Sequence, residues 1–317
     1  MKRSSSGLNC VLALDKPYGL TSHDVVGKAR RLLGERRIGH AGTLDPAATG
    51  VLVLGVGQAT RLMGMLTLDD KRYEACIAFG AETATDDAEG EVIRTAEVPE
   101  RLAEEAVAAA VVASLVGPCE QVPPAYSAIS IDGRRAYDRA RAGEEVSLPT
   151  RSVTIHEASL LGVEKRDGVL VWRCAFHVSK GTYIRSIARD LGRSMCTAAH
   201  LCELRRTSSG PIAIDGCLTL GELERLGASG VLSRALDPVR ALAHPSHELN
   251  DYEREAVSVG RPFGCRTVVT ATGERRSPNE GERVSLVDGP KLMGVWEERG
   301  GRLACVANFP EGISGVR

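Results

Sequence analysis

No uninterrupted apolar run in this chain approaches the ~18 residues that a membrane-spanning helix needs. No Cys-x-x-Cys pair occurs either, and the nine cysteines, scattered from Cys10 to Cys305, are odd in number. That fits neither a disulfide framework nor a zinc ribbon, so they read as reduced packing residues. His200-x-Cys202 offers two ligand types without a second pair at suitable spacing, and no metal is expected. The charged start, Met1-Lys2-Arg3, leads into no signal-peptide core, because Asp15-Lys16 interrupts the short apolar stretch that follows; a cytoplasmic location is the expectation. The glycines between Gly39 and Gly50 are not followed by Gly-Lys-[Ser/Thr], which removes a phosphate-cradling loop and ATP chemistry with it. In Gly55-Val56-Gly57-Gln58-Ala59-Thr60 the last residue replaces the third glycine of a dinucleotide fingerprint, leaving a tight strand-to-helix turn as the better reading. Net charge is missing as well: 40 Lys and Arg against 41 Asp and Glu leave −1, which argues against a protein coated in basic charge.

What is there begins with size. The 317 residues suffice for two domains at ~150 residues each, and 43% hydrophobic with 26% charged residues is a globular composition. Charge is segregated along the chain. Lys180 to Arg206 holds six cations against two acids, and Glu82 to Glu105 two cations against nine acids, which permits a basic groove for an anionic polymer on a neutral molecule.

Val11–Leu14 reads as a buried strand, Lys16-Pro17-Tyr18-Gly19 as a turn, and Thr21 or Ser22 as the cap of a helix running to about Gly34. A polar loop is expected over Arg36 to Pro46, then strands at Val51–Leu54, Tyr73 to Phe79 and Glu91 to Ile93. Pro99 opens a helix ending at Gly117-Pro118, and Pro123 to Pro149 reads as a surface excursion. Trp172 to Val178 is a strand leading into a helix from about Thr182 to Arg193. Thr219-Leu220-Gly221-Glu222 is a capping box. After Pro245 the pattern turns to short strands near 267–269, 284–287, 292–296 and 303–307 between Gly-rich turns, which suggests a small β-barrel.

One carboxylate occupies an unusual context. Asp45 stands in His40-Ala41-Gly42-Thr43-Leu44-Asp45-Pro46, with Arg36 and Arg37 just upstream and too few apolar residues for core packing to explain the segment. Composition alone would make it a turn-capping aspartate; the company of histidine and arginine points toward chemistry.

Leu14-Asp15-Lys16-Pro17-x-Gly-x-Thr21-Ser22, Gly39-His40-Ala41-Gly42-Thr43-Leu44-Asp45-Pro46-x-Ala-Thr49-Gly50 and Lys180-Gly181-Thr182-Tyr183-Ile184-Arg185 resemble the bacterial tRNA pseudouridine-55 synthases, the TruB family. So do Lys71-Arg72-Tyr73, Gly80-x-x-Thr83-x-Thr85-x-Asp87-x-x-Gly90, Pro123-x-x-Tyr126-Ser127-Ala128 and Leu204-Arg205-Arg206. The match runs in order from about Leu12 to Gly210. It implies an α+β fold: a mixed-sheet pseudouridine synthase catalytic domain over residues 1–244, and a PUA-like RNA-binding β-barrel over 245–317. The implied reaction isomerises uridine 55 in the T-loop of tRNA, breaking its N1 glycosidic bond and rejoining the sugar at C5. No cofactor and no metal take part, the partner is the T-arm of tRNA rather than a membrane, and a monomer is expected.

By the same match Asp45 is the catalytic aspartate and His40 fills the space left by the base once it is flipped out of the stack. Only twelve residues are aromatic, yet Tyr73 and Tyr183 both fall in matching charged motifs. Tyr73 is implied to stack on the flipped uracil, and Tyr183 to help remove the C5 proton. Arg185 is implied to pair with Asp45 and keep it ionised. Leu204 matches the apolar wall beneath the base, and Arg205 and Arg206 are implied to meet phosphates. Ser130 departs from the family, which has lysine there, so the segment from Tyr126 to Arg141 is expected to hold RNA with fewer charged contacts. A rival reading is a tRNA-binding and folding chaperone that uses the same groove without chemistry.

Overall fold

The computed structural model describes residues 6–67, 70–127, 130–131, 134–135 and 148–317. In chain order the elements are β1 (Cys10–Lys16), α1 (Ser22–Leu33), β2 (Ile38–Ala41), β3 (Ala48–Val56), α2 (Met63–Leu66), β4 (Lys71–Phe79), β5 (Ala81–Thr83), β6 (Val92–Thr95), α3 (Glu105–Ala113) and β7 (Gly117–Gln121). Next come β8 (Ser130–Ile131), β9 (Arg134–Arg135), β10 (Arg151–Arg166), β11 (Val169–Val178), α4 (Ile184–Ser194), β12 (Ala199–Ser209), β13 (Ile212–Ala213), α5 (Leu220–Gly230) and α6 (Pro238–Leu242). The chain ends with β14 (Ser246–Glu248), α7 (Asp251–Ser258), β15 (Val268–Val269), β16 (Arg275–Arg276), β17 (Arg283–Asp288), β18 (Lys291–Arg299) and β19 (Arg302–Ser314). This is a mixed α+β architecture, and among the described residues no helix is long and apolar enough to cross a membrane. Two compact units emerge, one of Met1–Pro46, Gly50–Leu68 and Ser208–Arg317, the other of Ala47–Thr49 and Asp69–Thr207.

In the first unit β1 is buried on both faces, which is why its sequence is a continuous apolar run rather than an alternation. It pairs antiparallel with β3, from Val11↔Gly55 to Lys16↔Gly50, and parallel with the end of β19 at Cys10↔Ser314. Helix α1 starts where local chemistry dictates. Thr21 and Asp24 form a capping box, Gly34 ends the helix in left-handed backbone, and Val25, Val26, Ala29 and Leu33 make the buried stripe. The C-terminal strands follow the order β16-β15-β14-β17-β18-β19, open at β16 among the described residues. They carry a core of their own around Trp296, Phe263 and Leu303. A further cluster joins Val11, Val51 and Val53 to Val295, Phe309 and Ile313, so the C-terminal strands also complete the core under β1 and β3.

The second unit is an antiparallel sheet, β12-β4-β11-β10-β7, with register Tyr73↔Phe176 between β4 and β11. Helices α3 and α4 cover one face, bringing Ala108, Val112, Ile187 and Leu191 onto Trp172, Phe176 and Ile77. Trp172 is fully buried and its indole N–H donates to Leu102 O at 2.8 Å, which satisfies its one polar atom.

Several expectations need correction. The polar segment 36–46 contains β2, paired with β3 through His40↔Leu54, so it is not loop throughout. The helix after Pro99 is two pieces, a 3₁₀ turn over Glu100–Ala103 and then α3. Helix α7 was not anticipated among the C-terminal strands, although Asn250 and Glu253 form its capping box. Most of the excursion from Pro123 to Pro149 lies outside the described residues; Ser130 falls in β8, and its side chain is likewise outside them.

The segregated charges have a different meaning from the one expected. Arg185, Arg189 and Arg193 recur every four residues along one face of α4, and the acidic turn between β5 and β6, Thr85-Asp86-Asp87-Ala88-Glu89-Gly90, lies against that face. Arg185 reaches Asp87 at 3.3 Å, Arg189 reaches Asp86 at 2.8 Å and Arg193 reaches Glu82 at 2.8 Å. Much of the basic block is therefore neutralised inside the unit, where it fixes the turn instead of lining a groove. Glu82, its side chain 3% exposed, also accepts from Arg94. Burial alone would raise its carboxyl, but the bonds and charges of Arg193 and Arg94 more than reverse this and hold it at about 2. A folded value below the ordinary carboxylate range gives stability that is full above that range and lost as pH falls through the folded value. We expect wild type to lose on the order of 3 kcal/mol between about pH 4.5 and pH 2 through this group, and Glu82→Gln to lack that component. Urea unfolding at pH 6, 4 and 3 checks it; equal pH slopes for the two proteins would remove the assignment.

Candidate active site

Asp45 belongs to the first unit, half-buried in the turn between β2 and β3, and the main chain on both sides of it is anchored. On one side Leu44 is buried, its N–H donating to Ser22 Oγ at 2.9 Å while that hydroxyl donates to Leu44 O at 3.0 Å. Ser22, the first residue of α1, is 1% exposed, so this pair of bonds is shielded from water. On the other side Pro46 O accepts from Gly19 N–H at 2.9 Å and from Lys16 Nζ at 3.2 Å. Gly42 supplies left-handed backbone, φ +78°, where the chain leaves β2 for the turn. His40 is half-buried on β2, with the ring of His23 from α1 edge-on to it at 5.5 Å between centroids and 81° between planes.

The other expected site residues belong to the second unit. Tyr73 sits near the start of β4, partly buried between the exposed Arg72 and Glu74, and both it and Leu204 on β12 pack against the cluster that holds Phe176 and Ile184. Tyr183 is the residue before α4. Its N–H donates to Gln121 Oε1 at 2.8 Å, Gln121 Nε2 donates back to Tyr183 O at 3.0 Å, and the Arg151 guanidinium lies 5.7 Å from the ring centroid. Arg185 is 4% exposed rather than a surface arginine. Besides Asp87 it donates to Thr85 O and to Tyr126 O, each at 2.9 Å. Arg205 is half-buried and reaches Thr49 Oγ1 at 3.3 Å, four residues along the chain from Asp45. Arg206 corrects an expectation: at 1% exposure its guanidinium is a buried group, and it cannot meet an external phosphate where it stands.

Three positioning residues escaped the sequence reading. Lys16 and Ser22 lie inside a quoted motif yet look like a surface charge and a helix cap. Gln121 gave no signal, because its partner Tyr183 is distant in sequence. Among the described residues no group of three or more His, Cys, Asp or Glu side chains is placed to hold a metal ion. His200 Nδ1 lies 2.9 Å from Ala81 O, and Cys202 donates to Cys76 O at 3.2 Å.

Residues 30–184 match the family model described as TruB family pseudouridylate synthase (N terminal domain), and residues 185–243 match that of the tRNA pseudouridylate synthase B C-terminal domain. The chain is 45% identical over 290 residues to tRNA pseudouridine synthase B of Paenarthrobacter aurescens (strain TC1), covering 88% of this chain and 91% of that protein. To the protein of the same description in Corynebacterium efficiens it is 42% identical over 305 residues, 95% of each chain. Among solved structures, the Cbf5-Nop10-Gar1 complex holds a chain similar in fold, with a TM-score of 0.67 at 23% identity over 96% of this chain and 85% of that one.

Proposed function

The chain belongs to the TruB family of pseudouridylate synthases and forms pseudouridine in tRNA; from that premise we propose that its target is uridine 55 of the T-loop and that Asp45 carries the chemistry. The reaction is an isomerisation. The N1–C1′ bond breaks, a C5–C1′ bond forms, C5 loses a proton and N1 gains one, so the atoms balance without a redox partner or group donor. The reactive edge of a uracil in a folded loop is hidden, and the nucleotide is turned out of the stack at a cost of a few kcal/mol.

The observation that carries this reading is the Asp45 carboxylate on a turn held by Ser22 on one side and by Gly19 and Lys16 on the other. A group that must meet one atom of a flipped base gains from a backbone that does not move. Tyr73 then stacks on the uracil, Tyr183 receives the C5 proton, Arg185 acts as the cation for Asp45, and Leu204 lies beneath the base. His40 fills the gap left in the RNA, and Arg205 meets a phosphate; Arg206, being buried, is left out of that contact. We assign RNA binding without chemistry to a PUA-like segment at 245–317, supported by its own core around Trp296. The protein acts as a cytoplasmic monomer, with neither cofactor nor metal. No observation favours the chaperone reading.

The test is turnover of an unmodified tRNA transcript, read by mass spectrometry after chemical labelling of pseudouridine. One modified position, abolished when uridine 55 is replaced by cytidine, is expected; no product, or product elsewhere, overturns the proposal. The stacking role has its own measurement. Tyr73→Leu should cost about tenfold or more in kcat/KM and Tyr73→Phe little, because only leucine removes the π face, worth ~1–3 kcal/mol per stacked base. Equal losses would mean that the hydroxyl, not the ring, does the holding.

A further inference from the structure

Tyr18 stands 70% exposed next to the Asp45 turn, on a turn of its own that the structure holds still. Gly19 follows it with φ +81°, a conformation suited to glycine, and the Gly19 N–H to Pro46 O bond ties the residue after Tyr18 to the residue after Asp45. Lys16 Nζ, itself fully buried, donates to Pro17 O at 3.0 Å and Leu20 O at 2.6 Å, on either side of Tyr18. A single exposed apolar side chain needs no explanation in general. A large exposed ring mounted on a backbone pinned from three directions, on a turn bonded to the one that carries Asp45, is a different case. Tyr252, exposed to 64%, offers the contrast, since the Arg261 guanidinium lies 5.4 Å from its ring centroid.

We propose that Tyr18 is a further RNA-binding residue, its ring stacking on a base that flanks the nucleotide turned out for reaction. The inference rests on the function proposed above. When a nucleotide leaves the stack, its neighbours lose a stacking partner and expose a π face to water. A tyrosine ring can replace that partner on any base, and one fixed in place beforehand loses little freedom in doing so. Stacking there would hold the RNA in register over Asp45 without reading its sequence.

The full-length protein and an unmodified tRNA transcript test this by filter binding and steady-state kinetics. Tyr18→Ala should raise Kd and KM about tenfold while kcat falls less than twofold. Tyr18→Phe should restore wild-type binding, and Tyr18→Leu should resemble the alanine variant. The dependence of log Kd on log salt should keep its slope, because no phosphate contact is lost. Wild-type affinity in Tyr18→Ala, a phenylalanine variant as weak as alanine, or a shallower salt slope would each overturn the role. Wild-type turnover of the same transcript separates the two readings: an inactive wild type defeats the proposed function and this inference with it, whereas an active wild type beside a normally binding Tyr18→Ala defeats Tyr18 alone.

Discussion

Asp45→Asn should leave no detectable pseudouridine, a loss of about 10³-fold or more, the range over which a single positioned nucleophile or proton-transfer group acts. The substitution keeps the size of the side chain and removes the carboxylate. The turn has anchors on both sides of that residue: Leu44 is held by Ser22, and Pro46 by Gly19 and Lys16, through the main-chain groups of Leu44 and Pro46. The variant should therefore fold with the turn in place, and a melting temperature close to wild type checks that. Affinity for tRNA should stay within about twofold, or tighten slightly, because a negative charge near the phosphates is gone, and it should remain salt-sensitive. Mass spectrometry of a labelled transcript and filter binding across a salt series measure both halves. Turnover near the wild-type rate would make Asp45 a turn residue and return the ground to the chaperone reading.

Local devices were legible in the sequence, and distant partnerships were not. Thr21 and Asp24 cap α1 within one turn of chain, and Thr219 with Glu222 does the same for α5, so both helix starts could be read from a few letters. Strand β2 was hidden, because Ile38-Gly39-His40-Ala41 has no period of its own and exists through its pairing with β3. The apolar stripe of α4 was visible, but periodicity cannot reveal that an arginine between its members is buried when the acid that neutralises it lies about a hundred residues away. For the same reason Lys16 looks like surface charge until the carbonyls of Pro17, Leu20 and Pro46 converge on it. Asp45 as a candidate stands out through its motif and not through composition, since an Asp before Pro is an ordinary turn signal.

Arg185→Lys should lower kcat/KM about a hundredfold although the charge is kept. The guanidinium sends NH1 to Thr85 O and Asp87 Oδ2 and NH2 to Tyr126 O, so one planar fork joins the acidic turn to the segment that carries Tyr126. Lysine has a single nitrogen on a flexible stem and cannot stand at both ends of that fork. At least one of these half-buried carbonyls then loses its donor, at about 1 kcal/mol, and the cation proposed to serve Asp45 loses its fixed direction. A fall in stability alone would not separate a catalytic role from a structural one. Arg189 provides the comparison: it lies on the same face of α4, is 8% exposed, and bridges Asp86, Asp190 and Val122 O. Arg189→Lys should lose similar stability, because it breaks a similar buried fork, yet keep most of its turnover below its melting temperature. Binding of tRNA should change little in either variant, since neither guanidinium is exposed enough to meet a phosphate. Melting temperatures, kcat/KM and Kd for the pair decide the matter: equal losses of turnover would reduce Arg185 to a strut of the acidic turn, and unchanged kinetics in Arg185→Lys would end its proposed partnership with Asp45.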